Sequence, residues 1–368
     1  MQGRGLPVAG KQFGRSLKTS ERMKEVRFLI VGQGLAGTML AFEMQEHNIP
    51  FRIVSSPNKS KASLVAAGMI NPLVFKRLTK SWMADQLLPV MHKRYRELEN
   101  LLLASFFFEK KILKPLSEQE MQLWKEKQQN PEFSSFIESV LAESPLASLV
   151  GSPAYGIVRG SGYLNLAVFL ELAEQYFREK GWLLEAGFLL DDDIPDFFEI
   201  EGIKAENIVF CEGYHLAENP LFQLVKMNPA KGEVLQIHAP DLPEEFILNK
   251  RVFVLPVGNH RFKVGSTYEW DDLSETPTEK GKDSITERLE NLVKTGYTIE
   301  EHWAGVRPTV ADRRPVLGVH PKHKNVFVFN GLGTKGVMLA PWLAAEMVKF
   351  LKGEIRNLPP EVDIHRFV

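Results

Sequence analysis

The hydrophobic pattern along the chain sets out alternating strands and helices. Residues 26–31, apolar except for Arg27, form a short run rich in β-branched side chains, the mark of a strand buried on both faces. Gly32-Gln33-Gly34-Leu35-Ala36-Gly37 follows at once. Next comes a helix-forming segment with Met39, Leu40, Phe42 and Met44, closed by Asn48-Ile49-Pro50. Residues 51–54 read as the second strand. From Trp82 to about Leu146 the spacing turns helical, predicting helices over 87–103, 118–129 and 132–141. Residues 155–159 predict a strand. Leu166, Phe169, Leu170, Ala173 and Phe177 predict a helix over 164–180, ended by Gly181. Strands are predicted over 182–190 and 207–211. Residues 231–238, 251–257 and 261–267 then alternate as an antiparallel sheet does, with Gly258-Asn259 as a hairpin turn. A last strand at 325–329 and a helix at 337–351, capped by Gly353, complete the pattern. The fold class is a mixed α/β one, with α/β elements near both ends and the middle and an antiparallel sheet and helical insertion between them.

Composition narrows the function classes. The 368 residues carry 45 Lys+Arg against 46 Asp+Glu, a formal net charge of -1. That balance gives no support to a broad nucleic-acid-binding surface. The single cysteine, Cys211, cannot form an intrachain disulfide, and no Cys/His spacing suggests a metal site. Cys211 in its strand reads as a small buried apolar residue. One cysteine fits a reducing cytoplasm, where no disulfide is needed. Residues 101–108 are among the most apolar, far short of the roughly 20 that span a bilayer. Phe106-Phe107-Phe108 is expected in the core or a subunit interface, and Asp191-Asp192-Asp193 in a solvated turn. Residues 1–22, basic and glycine-containing without an apolar core, are expected to be a disordered leader.

Strand, glycine turn, helix and strand make one half of a dinucleotide-binding βαβ unit. Gly32 allows the tight turn, Gly34 lets backbone N–H groups reach a pyrophosphate, and Gly37 lets the helix pack close to the strand. The helix N-terminus, at Leu35 and Ala36, would face the phosphates. An acidic residue for the ribose hydroxyls is expected at the end of the second strand. Ser55-Ser56 stands there instead, and a serine lacks the charge-assisted bond of a carboxylate.

Three later segments extend the picture: Ala66-Ala67-Gly68-Met69-Ile70-Asn71-Pro72; Gly305-Val306-Arg307-Pro308-Thr309 with Asp312 and Pro315; and Asn330-Gly331-Leu332-Gly333-Thr334-Lys335-Gly336. With the amino-terminal turn, and with residues 207–213 ending in Glu212-Gly213, they resemble the D-amino-acid oxidase / glycine oxidase family of FAD-dependent oxidoreductases. Within it the chain is similar to glycine/sarcosine-type oxidases and to the oxidase domain of the bifunctional tRNA wobble-uridine modification enzyme. The resemblance implies FAD as cofactor and oxidation of a C–N bond in a small amine or amino acid, by hydride transfer to flavin N5. It implies that Arg307 grips the substrate carboxylate, for which a planar, permanently charged guanidinium is suited; the alternative is a structural ion pair with Asp312. It also implies that Gly331, Gly333, Thr334, Lys335 and Gly336 wrap the flavin ring, with Ala67, Gly68 and Met69 passing its other side and Gly213 beside the cofactor. Lys335 would bring positive charge to the flavin edge or assist oxygen, or else face solvent.

A Rossmann-like FAD-binding domain is expected to consist of residues 23–75, 155–225 and 305–368. An antiparallel-sheet substrate domain with its helical insertion would then comprise 76–154 and 226–304. Family members often carry a tyrosine that helps hold the carboxylate on the strand near residue 253; here Phe253 stands there, without a hydroxyl. Tyr268 and His260 lie nearby without an assigned role. The partners expected are the small-molecule substrate and oxygen or another electron acceptor, while oligomeric state is left open. The rival readings are an oxidase of an aminoalkyl-carboxylate-modified tRNA uridine, a catalytically decayed FAD-binding protein, and a nicotinamide-dependent dehydrogenase.

Overall fold

A computed structural model describes residues 24–188 and 194–368. The expected leader at 1–22, the Asp191–Asp193 turn and the end of the strand expected at 182–190 lie outside the described residues. The first strand, β1 (Lys24–Val31), is central to a seven-stranded sheet. It pairs in parallel with β2 (Phe51–Ser55) on one side and with Ile203–Phe210 on the other. Leu183–Glu185 extends the sheet beyond β2, and His323–Asn330 and Val316–His320 extend the other flank. Leu29 and Ile30 are fully buried, as a strand covered on both faces requires.

Helix α1 (Leu35–Glu46) follows the glycine turn and is buried from Leu35 to Met44. It packs against the last helix, Gly336–Leu351, through a core that includes Met39, Leu40, Leu343 and Met347. Leu166–Glu179 covers the same side with Phe169 and Phe177, both fully buried. The last helix ends as expected: Gly353 adopts φ 75°, the left-handed conformation a glycine cap supplies.

The second sheet has eight strands, in the order Thr298–Arg307, Ala230–His238, Arg261–Gly265, Phe253–Gly258, Ile247–Asn249, Ile112–Leu116, Ala154–Val158, Ile137–Leu141. All its pairings are antiparallel except that between Ile247–Asn249 and Ile112–Leu116. Its own core joins Leu235, Ile237, Phe262 and Val264 to Ile285 and Leu289 of the helix Glu279–Glu290.

Two expectations need correction. The helix expected over 132–141 is a turn followed by the strand Ile137–Leu141. Phe133 and Phe136 keep helical spacing, but the chain straightens to pair with Ala154–Val158. That partner, expected among the cofactor-binding pieces, belongs to the antiparallel sheet. Phe106 and Phe107 are buried, whereas Phe108 is exposed at the surface. Among the described residues no helix is long and apolar enough to cross a membrane, and no group of three or more His, Cys, Asp or Glu residues could hold a metal ion.

Candidate active site

The carboxyl ends of β1 and β2 open into a cavity of about 480 Å³, which reaches across to the antiparallel sheet. Gly32, at φ 104°, makes the turn out of β1; a Cβ there would lie 2.5 Å from the Cys211 carbonyl oxygen. A Cβ on Gly37 would lie 1.9 Å from the Gly32 carbonyl oxygen, so only glycine lets α1 start this close to the strand. Gly34 at the N-cap of α1 has no side chain to cap it, and no acidic residue stands in its first turn. Apart from the Leu35 N–H, which donates to Ser63 Oγ at 3.4 Å, its leading N–H groups are thus left for an anion.

Of the residues singled out from sequence, Gly32, Gly34, Leu35, Ala36, Ser55, Ala67, Gly68, Met69, Gly213, Gly333, Thr334, Gly336 and Arg307 all line this cavity. Gly37, Gly331 and Lys335 do not. Gly37 sits behind the turn. Gly331, at φ 75°, lies against Val310, where a Cβ would come within 2.6 Å. Lys335 turns neither into the cavity nor to solvent: its Nζ donates to the Asn71 carbonyl at 2.7 Å and to Ser81 Oγ at 2.9 Å. Burial pulls its pKa down to about 8.

Arg307 ends the strand Thr298–Arg307 at the far wall. Nη1 donates to the carbonyls of Ala230 (3.4 Å) and Lys231 (3.1 Å), and Nη2 to Ser266 Oγ (2.7 Å) and the Thr267 carbonyl (3.1 Å). Gly232 underlies it, since a Cβ there would be 2.0 Å from Nη2. The Tyr268 ring covers it, 4.2 Å from the guanidinium carbon. All four acceptors are neutral. Burial lowers its pKa, and among the described residues no carboxylate offsets that. Asp312, the alternative partner, is bound to Arg366 at 2.7 Å. A largely buried cation that faces a cavity with no counter-ion among the described residues is a site for an anion.

Phe253 lines the cavity, as does Tyr268, which brings a hydroxyl to the wall where Phe253 has none. His260 is on the exposed hairpin tip. Sequence reasoning missed the segment after β2, where Lys59, Ser60, Lys61 and Ser63 also line the cavity. Lys61 Nζ bonds Glu174 at 3.0 Å, and Ser63 Oγ accepts from the Leu35 N–H at 3.4 Å. Four closely spaced polar residues after a strand were the available signal. Cys211 is buried, and burial pushes its thiol pKa up, so it is no nucleophile.

The family model for DAO, FAD dependent oxidoreductase, matches residues 27–350. The chain belongs to the DAO family of FAD-dependent oxidoreductases. A glycine oxidase of Bacillus subtilis (strain 168) is 29% identical over 116 residues, 31% of this chain and 31% of that protein. The bifunctional protein ThiO/ThiG of Trichormus variabilis is 23% identical over 352 residues, 88% of this chain and 52% of that protein. The chain thus spans from about a third to about half the length of these curated relatives. The crystal structure of glycine oxidase from Geobacillus kaustophilus superposes with a TM-score of 0.75 at 20% identity, covering 94% of this chain and 98% of that one. This last likeness concerns the fold.

The cavity fits the cofactor of a DAO-family protein. The uncapped α1 N-terminus and the glycine cradle suit a pyrophosphate, and the small residues Ala67, Gly68, Gly333 and Gly336 leave room for a flat ring.

Proposed function

We propose that this DAO-family protein oxidises the C–N bond of a small amine or amino acid of the glycine, sarcosine or D-amino-acid type. The observation that carries the reading is Arg307, a largely buried guanidinium without a counter-ion among the described residues, at the end of the cavity away from the glycine turn. It would hold the substrate carboxylate and so fix the α-carbon over the cofactor ring, contributing orientation. When bound, FAD supplies the two-electron acceptor. The neutral amine would lose two electrons and one proton with its α-hydrogen, leaving a protonated imine that water hydrolyses to a carbonyl product plus ammonium or a protonated amine. The electrons leave to oxygen or another acceptor. In this reading Gly32 to Ala36 hold the pyrophosphate, and the parallel sheet carries the cofactor while the antiparallel sheet carries the substrate wall. A reducing, cytoplasmic setting suits the lone buried Cys211.

Relatives of similar pattern suggest a modified tRNA substrate as the rival. The segment over Arg307 weighs against it, because Glu269, Asp271, Asp272 and Glu275 give it an acidic rather than a basic face.

The test is anaerobic bleaching of the flavin by glycine, N-methylglycine and a panel of D-amino acids. At least one should reduce wild-type protein, and Arg307→Ala should weaken that substrate about a hundredfold or more while keeping the flavin spectrum. A variant that turns the substrate over normally would remove Arg307 from this role.

A further inference from the structure

We infer that Glu212 supplies the carboxylate for the adenosine ribose of bound FAD, replacing the acidic residue absent from the end of β2. The inference rests on the FAD of the DAO family and concerns this chain's own departure from the usual arrangement. In a βαβ unit of this kind the ribose hydroxyls meet an Asp or Glu at the end of the second strand. Ser55 occupies that end here, buried and lining the cavity. It offers one neutral hydroxyl to a ribose that presents two.

Glu212 comes to the same region from the other side of β1. Strand Ile203–Phe210 pairs with β1, and the Cys211 N–H donates to the Val31 carbonyl at 2.8 Å, holding the strand end against the glycine turn. Residue 212 is then in place: a Cβ on Gly32 would lie 3.5 Å from Glu212 Cα. The ends of β2 and Ile203–Phe210 are two strand spacings apart, about 10 Å, with the turn between them. The segment after β2 closes that gap, because Lys59 Nζ donates to Glu212 Oε1 at 3.0 Å. Glu212 Oε2 accepts from Asn219 Nδ2 at 2.8 Å.

The chemistry follows from this placement. The Glu212 side chain is only 6% exposed and lines the cavity. An ionised carboxylate has about four acceptor sites. Lys59 and Asn219 use two, fixing the group's orientation and leaving two for the neighbouring hydroxyls of a ribose. Lys59 also offsets its charge, so the carboxylate does not repel the phosphates bound at the α1 N-terminus. A purely structural Lys59–Glu212 ion pair would close the same gap but would be indifferent to the ribose hydroxyls.

The test uses the full chain stripped of flavin and titrated by flavin fluorescence, with FAD and with its analogue lacking both adenosine ribose hydroxyls. Wild-type protein should prefer FAD by about tenfold to a hundredfold, the range for hydrogen bonds to a charged group. Glu212→Ala should bind FAD about as weakly as wild type binds the analogue, and should no longer discriminate. Glu212→Gln, which keeps the shape, should fall between, and adding Ser55→Glu to Glu212→Ala should restore part of the preference for FAD. Equal losses for both ligands in Glu212→Ala, or an unchanged FAD affinity, would overturn the inference. So would a wild-type protein that fails to discriminate, whether or not the variants fold. Wild-type protein that binds neither ligand would count against the cofactor assignment itself.

Discussion

Gly37, behind the glycine turn, and Gly232, on the opposite wall of the cavity, act alike, each keeping a side chain out of the path of a group that must come close. At Gly37 the obstacle would be backbone: a Cβ 1.9 Å from the Gly32 carbonyl oxygen cannot be accommodated by a side-chain rotation. Gly37→Ala should therefore push α1 away from β1, costing about 1–3 kcal/mol of stability and weakening FAD retention. Chemical denaturation and flavin content of the purified variant measure both, and wild-type values for the two would show that the close approach is dispensable. The role of Gly37 was legible in sequence because strand, turn and helix are consecutive. The role of Gly232 was not. It reaches Arg307 only through the ladder in which Ala230 pairs with Arg307 and Gly232 with Gly305, and the other holders of the guanidinium, Ser266 and Thr267, are some forty residues away. Arg307 could be named from its motif, but its partners depend on a register that no local pattern encodes.

Among the elements, the loop before the last helix is held by one buried cation. Lys335 Nζ bonds Asn71 and Ser81, so the loop 331–336 is tied to the segment that passes the other side of the cavity. Burial lowers its pKa from the usual 10.5 to about 8. The sign is that of a base depressed on folding: between about pH 8 and 10.5 the unfolded chain binds more protons, so stability rises with pH across that window. Comparison with Lys335→Met isolates this contribution from tyrosines and Cys211, which titrate nearby. The difference in unfolding free energy should change by at most about 1.4 kcal/mol per pH unit in that window and stay flat below pH 7. A difference curve without slope between pH 8 and 10.5 would contradict the burial of the amine. Elements set by their own sequence, such as Glu118–Gln129 with its Ser117–Glu120 capping box, were predictable to the residue. Residues 132–141 were not, because their apolar spacing suits a helix or one face of a turn and strand. Pairing with Ala154–Val158, a tertiary effect, decides between them.

At the scale of the whole molecule, the two sheets bring the glycine-turn wall and the Arg307 wall to one cavity, and the second wall is completed by the segment 266–278, joined to the sheet by the Lys231–Glu269 bridge. Two charged side chains of the strand Ala230–His238 hold that segment. Lys231, fully buried, donates to Asp272, Ser274 Oγ and the Thr276 carbonyl at 2.6, 3.1 and 2.7 Å. Glu233 accepts from the Thr278 N–H and Oγ1, at the N-cap of the helix Glu279–Glu290. Hydrogen bonding to Lys231 holds the Asp272 carboxyl at about 2, so this link is complete above the usual 3.8 and is lost only as pH falls through about 2. The segment carries Tyr268 over Arg307, which makes its anchoring a matter of substrate affinity. Lys231→Met keeps the apolar stem in the sheet and removes the three bonds. Amide hydrogen exchange across 268–276 should then speed up by tenfold or more, with strand Ala230–His238 unchanged. Substrate KM should rise by a larger factor than FAD affinity falls, because the segment covers Arg307 and meets the cofactor side through Glu275, which accepts from Ser60 Oγ. Unchanged exchange would mean that Glu233, the Lys231–Glu269 backbone bridge and the Arg307 bonds to Ser266 and Thr267 suffice to hold the segment. Loss of FAD in parallel with substrate would mean that the two walls are not independent.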